Sequence, residues 1–288
     1  MPSVIRYPGS KAKLASTIRE SMPRWLRHEH VVPPAGAMYV EPFFGSGAVG
    51  LEVLEHANKS VGVWLNDLDF GIYALWRAVL EVPDRLVEYV RDFTPTVEAF
   101  EDFKAEDGRS TGCVARDGFR KLALHRLSVS GFGAKSGGAL GGKAQRRGCT
   151  VGSRWNPDTI EHAIYNAHVT LRQFGDVRVT NLHVRDVLRE VGRNCVVYLD
   201  PPYFVKGEQC YAHSMSEREH EEMAATLRGL RADWRLSYDD CSRVRELYAW
   251  ASVGELEVRY TNAVTRGRRP TRREAVIAPR SGGVCSGR

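Results

Sequence analysis

The 288-residue chain contains no apolar run approaching the ~18 residues that a membrane-crossing helix needs. Its first residues, Met1-Pro2-Ser3-Val4-Ile5-Arg6, hold no apolar leader core, so an unexported, soluble, cytoplasmic protein is expected. Cysteine is sparse and scattered over Cys113, Cys149, Cys195, Cys210, Cys241 and Cys285. None of these forms a C-x-x-C pair, which argues against a zinc ribbon or a redox pair, and reduced thiols with no metal site are expected. There are no internal repeats. An excess of acid is also missing: 41 Lys and Arg face 35 Asp and Glu, giving a net charge of +6 and a pI near 9.0. Such a balance favours a polyanionic partner over an acidic one. What is present is 43% apolar content, enough for one large domain or a domain with a subdomain.

The most informative stretch is Val196-Val197-Tyr198-Leu199-Asp200-Pro201-Pro202-Tyr203. Strand-forming residues run straight into a carboxylate, two prolines and an aromatic. Proline has no N–H and fixes its own φ, so the strand must stop there. The rim that follows offers the Asp200 carboxylate, a backbone carbonyl free of any ladder, and the face of Tyr203. In open α/β sheets ligands bind beyond the carboxyl ends of strands. A flat base suits that rim: its amine donates to the carboxylate and carbonyl while its face stacks on tyrosine. The plain alternative is a strand stop with a packed tyrosine.

A glycine-rich turn lies upstream, in Glu41-Pro42-Phe43-Phe44-Gly45-Ser46-Gly47-Ala48-Val49-Gly50, entered from a short strand at Tyr39-Val40 and leaving into a helix. Read literally, Gly45-x-Gly47-x-x-Gly50 is the dinucleotide fingerprint, and Asp67 stands about 20 residues on, where a ribose-binding acid belongs. A nicotinamide- or flavin-dependent oxidoreductase is therefore a rival. Against it, Glu41 puts a carboxylate where a pyrophosphate would sit, which suits a cationic amino-acid moiety better. Val61–Leu65 forms the next strand, ending in Asn66-Asp67-Leu68-Asp69, with Asp69 the expected helix N-cap.

Near the start, Tyr7-Pro8-Gly9-Ser10-Lys11 opens with a turn, and Leu14, Ile18, Met22 and Leu26 follow at helical spacing. From Pro83 to about Asn156 the pattern changes. Helices are expected over 97–106 and 116–127, then a glycine-dense stretch that cannot hold regular structure without support. Gly131 to Asn156 carries Lys135, Lys143, Arg146, Arg147 and Arg154 and no acid. A flexible surface loop is one reading; a loop ordered on phosphates, with Phe132 or Trp155 nearby for stacking or packing, is the other.

Asn156-Pro157 starts a core helix through Ile160, Ile164, Ala167 and Leu171. Val177–His183 alternates like a strand, with Asp186 as a candidate near the site. Ser216-x-x-Glu219 is a capping box, and His220 just after it is expected on the helix surface. Trp234–Tyr238 is a strand, 257–260 and 275–277 a final pair, and the run from Arg266 to Arg273, including Arg268 and Arg269, a basic loop.

The Tyr7-x-Gly9-Ser10-Lys11 element, the Glu41-Pro42-Phe43-x-Gly45-x-Gly47 turn and the Asp-Pro-Pro-Tyr rim, in that order, resemble the Dam-type adenine-specific DNA methyltransferases. The resemblance spans Tyr7 to about Ile277. It implies an α/β class I S-adenosylmethionine-dependent methyltransferase, a Rossmann-like doubly wound sheet, with an inserted, mainly helical target-recognition subdomain. Residues 1–82 and 157–288 would form the catalytic domain and 83–156 the insert. Catalytic roles would fall to Asp200, Pro201, Pro202 and Tyr203. The S-adenosyl-L-methionine site would be built from Tyr7, Lys11, Glu41, Phe43, Gly45, Gly47, Asp67 and Asp200. Lys135, Lys143, Arg146, Arg147, Arg268 and Arg269 are the candidates for DNA contact. The expected reaction moves a methyl group to the N6 amine of an adenine flipped out of duplex DNA. Alternatives in class are an amino-methyltransferase on cytosine N4 or RNA, the nicotinamide enzyme, and a silent DNA-binding relative. Partners implied are double-stranded DNA, no membrane, and, as a further candidate, a cognate restriction endonuclease. A monomer or weak dimer is expected.

Overall fold

The computed structural model describes residues 3–7, 11–129, 131–145, 148–204, 214–259 and 271–280. Gly9, Ser10, Arg146, Arg147, Tyr211, His213, Arg268 and Arg269 lie outside the described residues.

Seven strands form one sheet: β1 (Met38–Glu41), β2 (Gly62–Asn66), β3 (Val177–Thr180), β4 (Cys195–Leu199), β5 (Asp233–Asp239), β6 (Ser252–Arg259) and β7 (Thr271–Ala278). Their order is β3-β2-β1-β4-β5-β7-β6. The first five are mutually parallel, and β7 runs antiparallel to both β5 and β6. This is the doubly wound sheet expected. Successive side chains of a strand point to opposite faces, and here both faces are apolar. Tyr39, Val63, Leu65, Val196 and Tyr198 enter one core, while Val40, Trp64, Val197 and Leu199 enter a second on the other side. Burial on both faces explains why β4 reads as an unbroken apolar run instead of an alternating one.

The first core is covered by α1 (Ala15–Glu20), α2 (Arg24–Arg27), α3 (Ala48–His56), α4 (Phe70–Glu81) and α8 (Pro157–Arg172). The second is covered by α9 (Val184–Glu190), α10 (Glu217–Gly229) and α11 (Ser242–Leu247). The helical stripe Leu14–Leu26 is not one helix, because Pro23, which lacks an N–H, sits at the break between α1 and α2. Caps fall where the sequence places them. Asp69 accepts from the backbone N–H of Gly71 and Ile72 at the head of α4, and Asn156 from Thr159 at the head of α8. Ser216 and Glu219 bond reciprocally to start α10.

Between α4 and α8 run α5 (Pro83–Asp92), α6 (Val97–Ala105) and α7 (Val114–Leu127). Their apolar side chains, among them Leu86, Val90, Phe100 and Leu122, join the first core rather than a separate one. The approach of α7 to α4 is close: a Cβ on Gly118 would lie 2.6 Å from the Leu75 Cα. Trp155 packs edge-on to Phe93 at 5.1 Å, so it serves packing. The glycine-dense stretch is pinned at its base. Leu140 N–H donates to the Leu127 carbonyl at 2.7 Å, Val129 N–H to Gly138 at 3.1 Å, and Ala139 and Leu140 are buried. At the other end, β6 and β7 are both longer than expected. Thr271, Arg272 and Arg273, read as loop, belong to β7, where the ladder with β6 extends to Arg259↔Thr271.

Candidate active site

A cleft opens beyond the carboxyl ends of β1, β2 and β4. The strand order reverses between β1 and β4, the place where an open α/β sheet leaves a crevice. It encloses about 940 Å³ of empty space, part of it continuous with solvent. One end is the glycine turn and the other the Asp200 rim. Tyr7, Lys11, Glu41, Phe43, Gly45, Asp67, Asp200 and Pro202 all line it, whereas Gly47, Pro201 and Tyr203 do not.

The glycine turn is shaped by what crowds it. Gly47 has φ +70°, and a Cβ there would meet the Trp76 ring at 2.7 Å. At Gly50 a Cβ would lie 2.4 Å from the Glu41 carboxylate, so only glycine lets α3 approach the end of β1. The Trp76 indole N–H donates to the Gly45 carbonyl at 2.9 Å. Asp67 accepts from the backbone N–H of Gly45 at 2.8 Å and of Asp69 at 2.9 Å. The carboxylate thereby ties the turn to the end of β2 while still facing the cleft. Asn66 completes the frame: its side chain donates to the carbonyls of Pro42 and Leu182 and accepts from the Thr180 hydroxyl and the Leu182 N–H.

Charge in the cleft is predominantly negative. Glu41 is buried, takes a 2.7 Å hydrogen bond from the Tyr39 hydroxyl, and has no cation within salt-bridge range among the described residues. Burial pushes its carboxyl well above the usual range, and the charges of Asp200 and Asp67 add to this. Asp67 is pushed up to about 7 by burial and by neighbouring Asp69. Carboxyls raised in this way within one cleft fit a cationic ligand.

Asp200 sits at the far end with Lys11, whose ammonium lies 2.8 Å from the Asp200 Oδ1, in contact with the Tyr203 hydroxyl, and 3.4 Å from Glu274 Oε2. Burial pushes Asp200 up to about 6, with Lys11 drawing it back. Burial would lower Lys11, but Asp200, Tyr203 and Glu274 outweigh it and hold the ammonium well above its ordinary value. Lys11 stands just ahead of α1, its carbonyl accepting from the Leu14 N–H, and its side chain reaches the Asp200 end of the cleft. Its Nζ is 4.6 Å from the Tyr203 ring centroid and touches the hydroxyl, so it meets the ring at its edge.

Other expectations need correcting. His220 is buried, because α10 turns it under Phe204, where the rings stack at 4.0 Å and Nδ1 meets the Tyr238 hydroxyl. Burial lowers it to about 4, so it is neutral. Asp186 pairs with Arg189 at 3.2 Å and takes no part in the cleft; Leu182, His183 and Val184 line the wall in its place. The reasoning from sequence also missed Tyr198, on the cleft wall and bonded to Ser237 at 2.9 Å, and Glu274. A lone acid beside the apolar run Ala275-Val276-Ile277 was the available signal for the latter.

The helical segment reaches the same cleft. Lys121 of α7 pairs with Asp69 at 2.6 Å and Asp107 at 3.0 Å, and His125 stacks on Tyr7 at 5.4 Å while its Nδ1–H donates to the Arg6 carbonyl. Lys135 and Lys143 are not buried. Among the described residues, Glu52, Glu55 and His56 come close enough together to share an ion, but they lie on α3 away from the cleft lining. No helix among the described residues is long and apolar enough to cross a membrane.

Comparison with known proteins gives one decisive match. No curated protein matches the chain. Among solved structures it is similar to a "putative RNA methyltransferase" from Pyrococcus horikoshii, at 11% identity and a TM-score of 0.35 over 95% of this chain and 84% of that one. A likeness of that size carries no argument. The family model for the D12 class N6 adenine-specific DNA methyltransferases, in contrast, matches residues 7–262. That match runs from the aromatic at the cleft mouth through the glycine turn and the Asp-Pro-Pro-Tyr rim, and the chain accordingly belongs to this family of enzymes, which methylate adenine N6 in DNA.

Proposed function

We propose that the cleft holds S-adenosyl-L-methionine at its glycine-turn end and a flipped-out adenine of duplex DNA at its Asp200 end. The observation that carries this reading is continuity: Gly45 and Asp67 line the same cavity as Asp200 and Pro202. Tyr7, Phe43 and the Gly45 backbone offer a surface for a flat ring, Asp67 an acceptor for ribose hydroxyls, and Glu41 a counter-charge. The donor supplies an electrophilic methyl group on a sulfonium sulfur.

The protein's own residues do the rest. Flipping a base costs a few kcal/mol, and Tyr203, with Phe204 behind it, supplies a stacking face. Asp200 and the Pro201 carbonyl accept hydrogen bonds from the two amine N–H groups and so turn the nitrogen lone pair towards the donor end; the one proton released on methylation leaves after alkylation. Pro201 and Pro202 fix that rim rigidly, since neither can shift φ. Most of the acceleration then comes from positioning and from preorganised charge in a site with little water. Asp200 need not be a strong base, because the amine sheds its proton readily once alkylated. In this reading 83–156 forms the target-recognition insert, with Lys135 and Lys143 on phosphates. The family assignment favours adenine over cytosine or RNA, and nucleoside analysis of methylated duplex separates them. A cytoplasmic location, a monomeric or weakly dimeric state and a companion restriction endonuclease belong to the same reading.

Asp200→Ala is the direct test. Methyl transfer from labelled donor to duplex DNA should be abolished, while donor affinity measured by titration changes less than about tenfold. Turnover at the normal rate in that variant would remove the site assignment.

A further inference from the structure

We propose that Glu274 is a positioning residue for methyl transfer, acting on Asp200 through Lys11. The proposal rests on the reading of Asp200 as acceptor of the target amine.

Topology brings Glu274 to the site. Because β7 is reversed, its beginning lies beside the end of β5, with Glu274 opposite Asp239. A residue near the start of a strand therefore reaches the rim that the parallel strands reach with their ends. Glu274 is 3% exposed, followed by Ala275 and Ile277 at 0%. A carboxylate buried there without a function would be costly.

An ammonium has three N–H donors and no acceptor. Lys11 Nζ faces three oxygens: Asp200 Oδ1 at 2.8 Å, the Tyr203 hydroxyl and Glu274 Oε2 at 3.4 Å. Two ion pairs and one hydrogen bond hold the ammonium between Asp200, Glu274 and Tyr203. Held so, Lys11 engages Oδ1 of Asp200, and Oδ2 is the oxygen that would take an incoming amine. Without Glu274 one of the three contacts is gone. The ammonium can then slide along the Asp200 carboxylate and compete with the amine for both oxygens.

The same arrangement has an electrostatic consequence. Asp200 is faced by Lys11 from the N-terminal segment, Tyr198 on β4, Glu41 on β1, Tyr203 on its own rim, Tyr238 on β5 and Glu274 on β7. Of these, Glu274 raises the Asp200 pKa and Lys11 lowers it. Neutralising Glu274 should move the acid limb of kcat/KM to lower pH even as kcat falls.

The experiment compares wild type, Glu274→Gln, Lys11→Met and the double variant in methylation of duplex DNA across pH, with thermal melts as a check of folding. Expected for Glu274→Gln is a kcat lowered on the order of 10- to 100-fold, a donor KM little changed, and an acid limb displaced downward. In the Lys11→Met background the Glu274 change should add nothing to the loss of kcat, because the intermediary is gone, while the direct displacement of the acid limb remains. Should Glu274→Gln not fold, Glu274→Asp carries the test: it keeps the charge and shortens the reach, so kcat should fall with the limb left in place. Unchanged kcat and limb, or an equal loss of kcat with and without Lys11, overturns the proposal. Asp200→Ala run alongside separates the two levels. If it stays active the site reading fails; if it is dead while the Glu274 variants behave as wild type, only the role of Glu274 fails.

Discussion

At the scale of single residues, the proposed role of Asp200 as acceptor of the target amine makes its titration visible in the pH profile. A carboxyl accepts a hydrogen bond from the amine most strongly when ionised. Burial raises Asp200 to about 6, so the competent fraction shrinks as pH drops through that value. Lys11, held well above its ordinary value, stays charged throughout and contributes no limb of its own. The expected profile of kcat/KM for DNA is flat above about pH 7 and falls about tenfold per pH unit below the Asp200 value. A profile level down to about pH 4.5 would mean that a carboxylate near its ordinary value does the work. Most of these residues were legible in the sequence because each broke a local pattern: an acid and two prolines closing an apolar strand, a carboxylate opening a glycine turn. Lys11 was legible as a site residue, but its partner was not. Nothing in the sequence ties position 11 to position 200, since that pairing exists only through the tertiary fold. His220 was misread for a related reason, as periodicity marks which side of a helix is apolar but not which polar residue a neighbouring loop covers.

At the scale of elements, close approaches do the positioning. The crossing of α7 on α4 depends on Gly118, whose missing side chain lets the Leu75 backbone sit against it. Gly118→Ala would place a carbon 2.6 Å from the Leu75 Cα, and backbone cannot rotate away. The helices must separate, at a cost of about 1–3 kcal/mol. Because Lys121 and His125 of α7 contact Asp69 and Tyr7 in the cleft lining, the variant should show a lower melting temperature together with weaker donor binding. A drop in stability with donor affinity intact would uncouple the helical segment from the cleft. Helix starts were readable from caps, which are local chemistry. Strand ends were less so: β7 begins in Thr271-Arg272-Arg273 because β6 supplies a ladder partner for each, and a ladder is a property of two distant segments.

At the scale of the whole molecule, charge divides by function. The net balance is +6, yet the cleft is lined by carboxyls. The positive excess lies elsewhere, in part on the lysines of the glycine-dense stretch. Replacing Lys135 and Lys143 by Gln should lower the slope of log affinity for duplex DNA against log salt by about 0.9 for each phosphate these side chains neutralise. Donor affinity should not move. An unaltered slope would assign phosphate binding to other basic residues. The doubly wound sheet was legible through the resemblance, whereas its strand order and the reversal of β7 were not, since a strand's direction relative to a distant neighbour leaves no mark in its composition.

One buried amide, that of Asn66, fastens two separate stretches of chain to the end of β2: the turn after β1, and the end of β3 with the residues just beyond it. The glycine-turn half of the cavity is therefore assembled when the protein folds and need not be assembled again for each turnover. Binding there should show little heat-capacity change beyond that of the ligand's own burial. Calorimetry on Asn66→Ala should turn that rigid-body event into one with an added entropic cost of ordering.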